Sequence, residues 1–503
     1  MMSTSKQAVE KLETGISGFD FISDGGLPKG RTTLLAGSAG SAKTLLALQF
    51  LIEGIRKYQQ AAVYVVFEES AQDVRKNVLS LGWDLAQYEE EGKLVIIDAS
   101  RRSDEDHIVT GEYDFGGLIA RLKSAIKQID AQRISLDSLD AVFTRFKEKG
   151  VVRSELHRIS SSLKEMNITA LLTAERNEEY GDIARYGVEA FVADNVMILR
   201  NNLEAEKRRR TIEILKFRGA NHKRGEYPFT IIPNEGLVII PVAAINLKQH
   251  SSSIRITSGN KQLDDMCGGG FFRDSIILIS GATGTGKTLL TTSFIQGGFD
   301  SDEKCLLLAY EESREQLVRN ATGWGVDFEK MEKAGKLRVV CCYPEVMGLE
   351  DHLIRIRDEI DDFKPNRVAL DSLSALERVS TIRGFREFVI GITSYIKDNE
   401  MAGLYTSTTP TLMGGTSITE GHISTITDSI ILLRYVEMYG EMRRGMTVLK
   451  MRGSAHEKEI REFQIDSTGI HIGKTFRNVS GIISGFAKHM NQDVVERLDD
   501  MFK

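Results

Sequence analysis

The chain has 503 residues, a formal net charge of -6, 41% hydrophobic residues and 27% charged residues. That size allows about two to four ordinary domains with full cores, and the acidic balance argues against a general nucleic-acid binder. Cys267, Cys305, Cys341 and Cys342 form no C-x-x-C pair, the N-terminus lacks an apolar signal core, and no apolar run reaches a membrane span, so a cytoplasmic protein without a zinc site or disulfide framework is expected.

In chain order, residues 32–36 read as a buried strand. The string Gly37-Ser38-Ala39-Gly40-Ser41-Ala42-Lys43-Thr44 follows it. This is the spacing of a phosphate loop, whose backbone N–H groups curl around phosphate oxygens at a helix N-terminus. Lys43 is expected on the β- and γ-phosphates and the Thr44 hydroxyl on Mg²⁺. Ala42 stands where the pattern has glycine and tolerates fewer backbone conformations, so a slow or silent site is the alternative. Residues 62–67 predict a second strand, ending on Glu68-Glu69. Neighbouring strand residues face opposite ways, so at most one carboxylate of the pair is expected to aim at the γ-phosphate. Residues 134–136 predict a strand ending on Asp137, in the position that supports Mg²⁺. Residues 170–173 predict another. The run Lys207-Arg208-Arg209-Arg210 reads as a solvated turn. Residues 211–217 alternate like a hairpin strand and place Lys216 and Arg218 on one face, with Phe217 between them and His222 beyond. Two cations on one face suit a polyphosphate.

Pro241 and the polar stretch Lys248-Gln249-His250-Ser251-Ser252-Ser253 read as a linker, and then the order repeats. Gly281-Ala282-Thr283-Gly284-Thr285-Gly286-Lys287-Thr288 fits the phosphate-loop pattern in full. Glu311-Glu312, Asp371 and the strand at 446–451 with Lys450, Met451, Arg452 and His456 match their first-half partners in order and spacing. The only two tryptophans, Trp83 and Trp324, fall one per half. The predicted fold is α/β: two tandem RecA-like P-loop domains, each a mostly parallel sheet flanked by helices. The domains are placed at residues 1–245 and 246–485, with a tail at 486–503.

The halves differ after the fourth strand. Residues 406–427 hold eleven Ser or Thr, whereas 173–194 hold one, Thr173. Aligned on Asp194 and Asp428, Ser424 and Thr425 face Ala190 and Phe191, and Thr419 faces Arg185. A hydroxyl near a γ-phosphate can replace water as nucleophile. The second half is therefore expected to phosphorylate protein and the first only to hydrolyse ATP. The competing reading is a loop merely decorated with hydroxyls.

The strings at 281–288, 367–376, 417–434 and 450–456 resemble the KaiC family of clock ATPases and autokinases over nearly the whole chain. So do Arg185-Tyr186-Gly187-Val188-Glu189 and Arg224-Gly225-Glu226-Tyr227-Pro228-Phe229-Thr230. The resemblance implies a double-ring homo-hexamer with ATP between subunits. It implies that Lys216, Arg218 and His222, and likewise Arg444, Lys450, Met451 and Arg452, reach the neighbour's nucleotide. Ser80, Leu289 and Trp324 would belong to the nucleotide pockets. Glu311 would be the kinase base and Arg378 a γ-phosphate contact. Ser424 and Thr425 would be phosphoacceptors with Thr419 beside them, and Glu68 and Glu69 the first-ring ATPase carboxylates. The sequence departs from the family at Ala42, Glu420 and Gly421, and after about Ser484. A KaiB-type partner is expected on the first ring, and a KaiA-type partner is not expected from this tail. Val494, Val495, Leu498, Met501 and Phe502 have helical spacing there. Two other readings stay open: a RecA-like DNA-dependent ATPase, and a scaffold whose ATP only assembles rings.

Overall fold

The computed structural model describes residues 9–100, 115–143, 149–185, 187, 192–204, 207–241, 251–409, 423–438, 440–476, 479–480, 482 and 488–489. Thr419, Ala190, Phe191, Glu420, Gly421 and the tail beyond residue 490 lie outside them. The chain divides into two units, Met1–Ala244 and Ile245–Lys503. Among the described residues no helix is long and apolar enough to cross a membrane.

The first unit holds a nine-stranded sheet. Its strands are β1 (Thr32–Gly37), β2 (Ala62–Val66), β3 (Leu94–Asp98), β4 (Arg133–Asp137), β5 (Thr169–Glu175), β6 (Asn195–Glu204), β7 (Lys207–Phe217), β8 (Glu226–Ile232) and β9 (Gly236–Ile239). Their order is β9-β8-β7-β6-β1-β5-β4-β2-β3. The pairs among β1 to β6 are parallel, and β6 to β9 run antiparallel.

The second unit repeats this strand for strand: β10 (Ile276–Gly281), β11 (Cys305–Ala309), β12 (Leu337–Cys341), β13 (Arg367–Asp371), β14 (Ala402–Thr408), β15 (Ser429–Met438), β16 (Glu441–Met451), β17 (Arg461–Asp466) and β18 (Gly469–Thr475). Its order, β18-β17-β16-β15-β10-β14-β13-β11-β12, is that of the first sheet with each label raised by nine. Two tandem RecA-like domains are thus present.

The parallel strands are largely apolar because helices cover both of their faces. In β2, Tyr64 and Val66 pack with Leu46, Phe50 and Ile55 of helix α1 (Lys43–Tyr58), while Val63 and Val65 pack with Leu122, Leu156 and Ile159 on the other face. Each unit also buries one arginine at the start of its Walker B strand. Arg133 donates to the Phe50 carbonyl at 2.8 Å, and Arg367 donates to the Phe294 carbonyl at 3.0 Å. Arg367 has a carboxylate partner, Glu303 at 2.6 Å; Arg133 has the neutral Gln60 amide at 2.7 Å. Burial pushes Arg133 down to about 10.

Two expectations need correcting. Lys207–Arg210 is not a turn but the start of β7, paired with Asn201–Glu204 of β6. The charges are tolerated because the hairpin's far end supplies partners, such as the Asn201 carbonyl for Arg208 at 2.8 Å. The tryptophans are not equivalent either. The turn after helix α2 (Ala71–Leu79) bonds Leu81 N to Val78 O and Trp83 N to Val78 O; its counterpart bonds Trp324 N and Val326 N to Ala321 O. Leu81 therefore matches Trp324. Trp83 matches Val326 and is fully buried in the first core.

Candidate nucleotide-binding sites

Both phosphate loops follow the central strand of their sheet, β1 or β10, and open a helix: α1 in the first half, α3 (Lys287–Asp300) in the second. This is the carboxyl end of a parallel sheet, where ligands of such folds bind. Lys287 Nζ donates to the Gly281 and Ala282 carbonyls at 2.9 and 3.0 Å. Lys43 Nζ donates to the Gly37 and Ser38 carbonyls at the same two distances. The inner hydroxyls repeat too, with Ser41 bonded to Ser38 O at 2.8 Å and Thr285 to Ala282 O at 2.7 Å. Burial lowers the pKa of both lysines, and nearby carboxylates oppose that shift.

The residue before each lysine is in left-handed backbone: Gly286 at φ 103° and Ala42 at φ 73°. Alanine pays about 1 kcal/mol for that region. At Gly286 a Cβ would also lie 2.8 Å from Ile465 Cδ1. The second loop thus needs glycine on two counts.

A cavity of about 430 Å³ opens over the second loop. It brings together Thr283, Gly284, Gly286, Lys287, Thr288 and Leu289 with Glu311, Glu312, Trp324, Asp371 and Arg444. Ala309, Leu317, Ser372, Thr408 and Ile465 also line it and were not picked out in the sequence. Their signal was adjacency to motifs, which identifies small and apolar wall residues poorly. Arg444, which the resemblance assigns to a neighbour's nucleotide, lines the cavity of its own loop and lies over the Tyr435 ring, 5.6 Å from its centroid.

Glu311 and Glu312 both line the cavity, against the expectation that at most one would. The strand ends at Ala309, so the pair sits in the bend beyond it, where strand alternation no longer applies. Glu311 accepts from Ser372 Oγ at 3.0 Å and forms an ion pair with Arg378. Glu312 accepts from Asn320 at 3.2 Å. Burial, then the nearby Asp371, raises the pKa of Glu312. The first half repeats both bonds: Ser138 Oγ to Glu68 at 2.8 Å and Asn77 to Glu69 at 3.3 Å.

Asp371 is held by Thr406 Oγ1 at 2.5 Å and by the Thr288 hydroxyl, and burial raises its pKa. A half-buried carboxylate at the cavity wall, next to a loop threonine, fits a Mg²⁺ ion or its water shell. Asp137 keeps the threonine partner, Thr173 Oγ1 at 2.5 Å, and accepts in addition from Tyr64 OH at 2.9 Å. Both aspartates are followed by a cis peptide bond. Ser80 is exposed at the end of α2, its Oγ donating to Asn77 O at 3.0 Å.

The late basic residues lie at the opposite end of the sheet. Lys450 Nζ donates to the Ser424 carbonyl at 2.8 Å and to the Thr427 carbonyl at 2.6 Å. Arg452 donates to the Thr425 carbonyl at 2.8 Å and pairs with Asp428 at 3.5 Å. Ser424 and Thr425 form a 3₁₀ turn, Ile423–Thr425, just before β15. The Asp428 N–H bonds to Ile276 O at the first residue of β10. The first half keeps the cations, with Lys216 on the Ala193 carbonyl at 2.9 Å and Arg218 on Asp194 at 3.4 Å. His222 packs on the Phe217 ring at 5.5 Å, and burial lowers its pKa. Met451 is buried beside Ser429, and His456 is half-buried.

Comparison with known proteins agrees with this duplication. A family model described as "ATPase: KaiC" matches residues 12–244 and again 256–476. The chain is 64% identical over 502 residues to the circadian clock protein KaiC3 of Synechocystis sp., covering 100% of this chain and 99% of that one. It is 54% identical over 489 residues to the circadian clock oscillator protein KaiC of Thermosynechococcus vestitus, covering 97% and 94%. To the protein of that name from Synechococcus elongatus it is 54% identical over 491 residues, covering 98% and 94%.

Proposed function

This chain belongs to the KaiC ATPase family, and from that premise we propose that it is an ATP-hydrolysing, autophosphorylating Ser/Thr kinase acting in timing-related signalling. The first half hydrolyses ATP. The second transfers its γ-phosphoryl group to Ser424 and Thr425, with Thr419 beside them.

One observation carries the kinase reading. The hydroxyl-bearing turn Ile423–Thr425 is held through two of its backbone carbonyls, Ser424 by Lys450 and Thr425 by Arg452, and Lys450 also holds the Thr427 carbonyl just beyond it. The turn adjoins the amino end of β10, whose carboxyl end carries the phosphate loop. The six residues of β10 separate these ends by five steps, roughly 17 Å. A loop cannot serve its own turn across that gap, so the donor nucleotide belongs to a neighbouring subunit. That geometry supports nucleotide held between subunits, and the family likeness suggests that the assembly is a homo-hexameric ring.

Mg²⁺ held by Thr288 and Asp371, and in the first half by Thr44 and Asp137, would neutralise phosphate charge. Lys287 draws the β- and γ-phosphates onto the loop. Glu311 accepts the proton as the Ser424 or Thr425 oxygen bonds to phosphorus and the bond to ADP breaks. Arg378, paired with Glu311 before nucleotide binds, is released toward the γ-phosphate. In the first half Glu68 and Glu69 do the same for water. A KaiB-type partner and a cytoplasmic location accompany this reading.

Incubation with Mg-ATP, followed by intact-mass analysis and peptide mapping, tests it. Phosphate is expected on Ser424 and Thr425. Its absence from protein that demonstrably binds ATP refutes the kinase. Salt-dependent DNA binding would favour the DNA-motor reading instead, and bound ATP without turnover the scaffold.

A further inference from the structure

The halves make one hydrogen bond with different chemistry. At the carboxyl end of β5, the Glu175 N–H donates to Asp140 Oδ2 at 2.6 Å. At the carboxyl end of β14, the Thr408 N–H donates to Ser374 Oγ at 2.7 Å. The sheet registers agree, with Glu175 opposite Gly37 and Thr408 opposite Gly281. A carboxylate pair therefore stands at the first phosphate loop where a hydroxyl pair stands at the second.

Glu175 faces the nucleotide side. Its counterpart Thr408 lines the second cavity together with Lys287. Strand alternation puts Glu175 on the same face as Thr173, whose hydroxyl holds Asp137. A further carboxylate, Glu179, accepts from Ser38 Oγ on the loop itself and from the Asn201 N–H at 3.0 Å.

We propose that Glu175, backed by Asp140, is the specificity-determining residue of the first site, biasing it toward the nucleoside diphosphate, while Thr408 lets the second site favour the triphosphate. The γ-phosphate adds negative charge at the end of the chain that Lys43 reaches. A fixed carboxylate there repels it, whereas a hydroxyl donates a hydrogen bond to it. Hydrolysis at the first site then runs toward a product that the site prefers. The second site keeps the triphosphate that a phosphoryl donor must be. This rests on the reading of the first half as a nucleotide-hydrolysing site.

The test is competition between ADP and the non-hydrolysable triphosphate adenylyl-imidodiphosphate on the full-length protein with Mg²⁺, with bound nucleotide counted per chain. Glu175→Thr and the isosteric Glu175→Gln are expected to shift one class of sites toward the triphosphate by about tenfold. Glu175→Asp keeps the charge and should stay near the wild-type ratio. Thr408→Glu should shift the other class toward ADP, independently of any folding defect in the first half. Glu175→Gln protein that holds two nucleotides per chain at the wild-type ratio overturns the proposal. One nucleotide per chain in the wild type would instead overturn the reading of the first half on which it rests.

Discussion

The first half has Ala42 in left-handed backbone before its lysine, Leu81 in the turn after α2, and Glu175 bonded to Asp140 at the end of β5. The second half has Gly286, Trp324, and Thr408 bonded to Ser374 at the matching positions. The lysines repeat their carbonyl bonds, the paired glutamates their Ser and Asn partners, and the aspartates at the ends of β4 and β13 one threonine bond each. Duplication has kept the lysine, the paired glutamates and the strand-end aspartate of each site. It has changed the residues to which we assign nucleotide preference and the receipt of the phosphoryl group. The same division appears at the amino ends of the sheets. Both halves keep a lysine and an arginine there, and in the second these hold the turn Ile423–Thr425 with its Ser and Thr side chains.

The largest effect that would break this comparison comes from Lys287→Ala. It is expected to lower phosphorylation of Ser424 and Thr425 by about 100-fold or more, because it removes the cation that gathers the β- and γ-phosphates. Bound nucleotide should fall from two per chain to one, held by the first half, as counted after rapid desalting. Loss of both nucleotides would mean that the sites are not separable.

The reciprocal loop variants sharpen the comparison next. Gly286→Ala is expected to weaken nucleotide binding in the second half by about tenfold, since the new Cβ meets Ile465 as well as an unfavourable φ. Ala42→Gly removes strain without creating a clash and should stabilise the first loop by about 1 kcal/mol. Calorimetric titration of each variant reads both. Equal and opposite effects would show that the loops differ only by the methyl group.

The smallest effect belongs to Glu312. Its folded pKa is raised by burial and by Asp371, so its ionised form costs stability. Well above that raised pKa, folded and unfolded chains both carry the charge and the cost is fully present. Below the ordinary carboxylate range both are protonated and the cost is gone. Glu312→Gln should therefore raise the melting temperature of nucleotide-free protein at neutral pH. The gain should shrink as pH falls through the raised pKa toward the ordinary range. Melting scans across pH check this, and a gain independent of pH contradicts it.

Most of the fold was legible in the sequence because both sheets are covered on two faces. Buried parallel strands leave apolar runs such as 62–67, and the phosphate loops mark which strand is central. The site was legible where a motif fixes an atom's task, as at Lys287, Thr288 and Asp371. It was less legible where tertiary contacts decide. Glu311 and Glu312 both reach the cavity because their strand ends one residue early, which composition does not reveal. Lys207–Arg210 became strand because partners across the hairpin accept its charge. Trp83 and Trp324 looked like a matched pair, yet two residues of offset send one into the core and the other to the nucleotide cavity. Glu175 and Thr408 carried no motif at all. Their equivalence emerges only from sheet register and a shared backbone hydrogen bond.

The division of labour is tested most directly by assaying Glu68→Gln and Glu311→Gln side by side in Mg-ATP, measuring phosphate release and label on Ser424 and Thr425 in the same samples. Glu68→Gln should lose most phosphate release and keep its label; Glu311→Gln should bind ATP and keep releasing phosphate but lose its label. Parallel loss of both activities in both variants, or normal labelling in Glu311→Gln, would contradict the account.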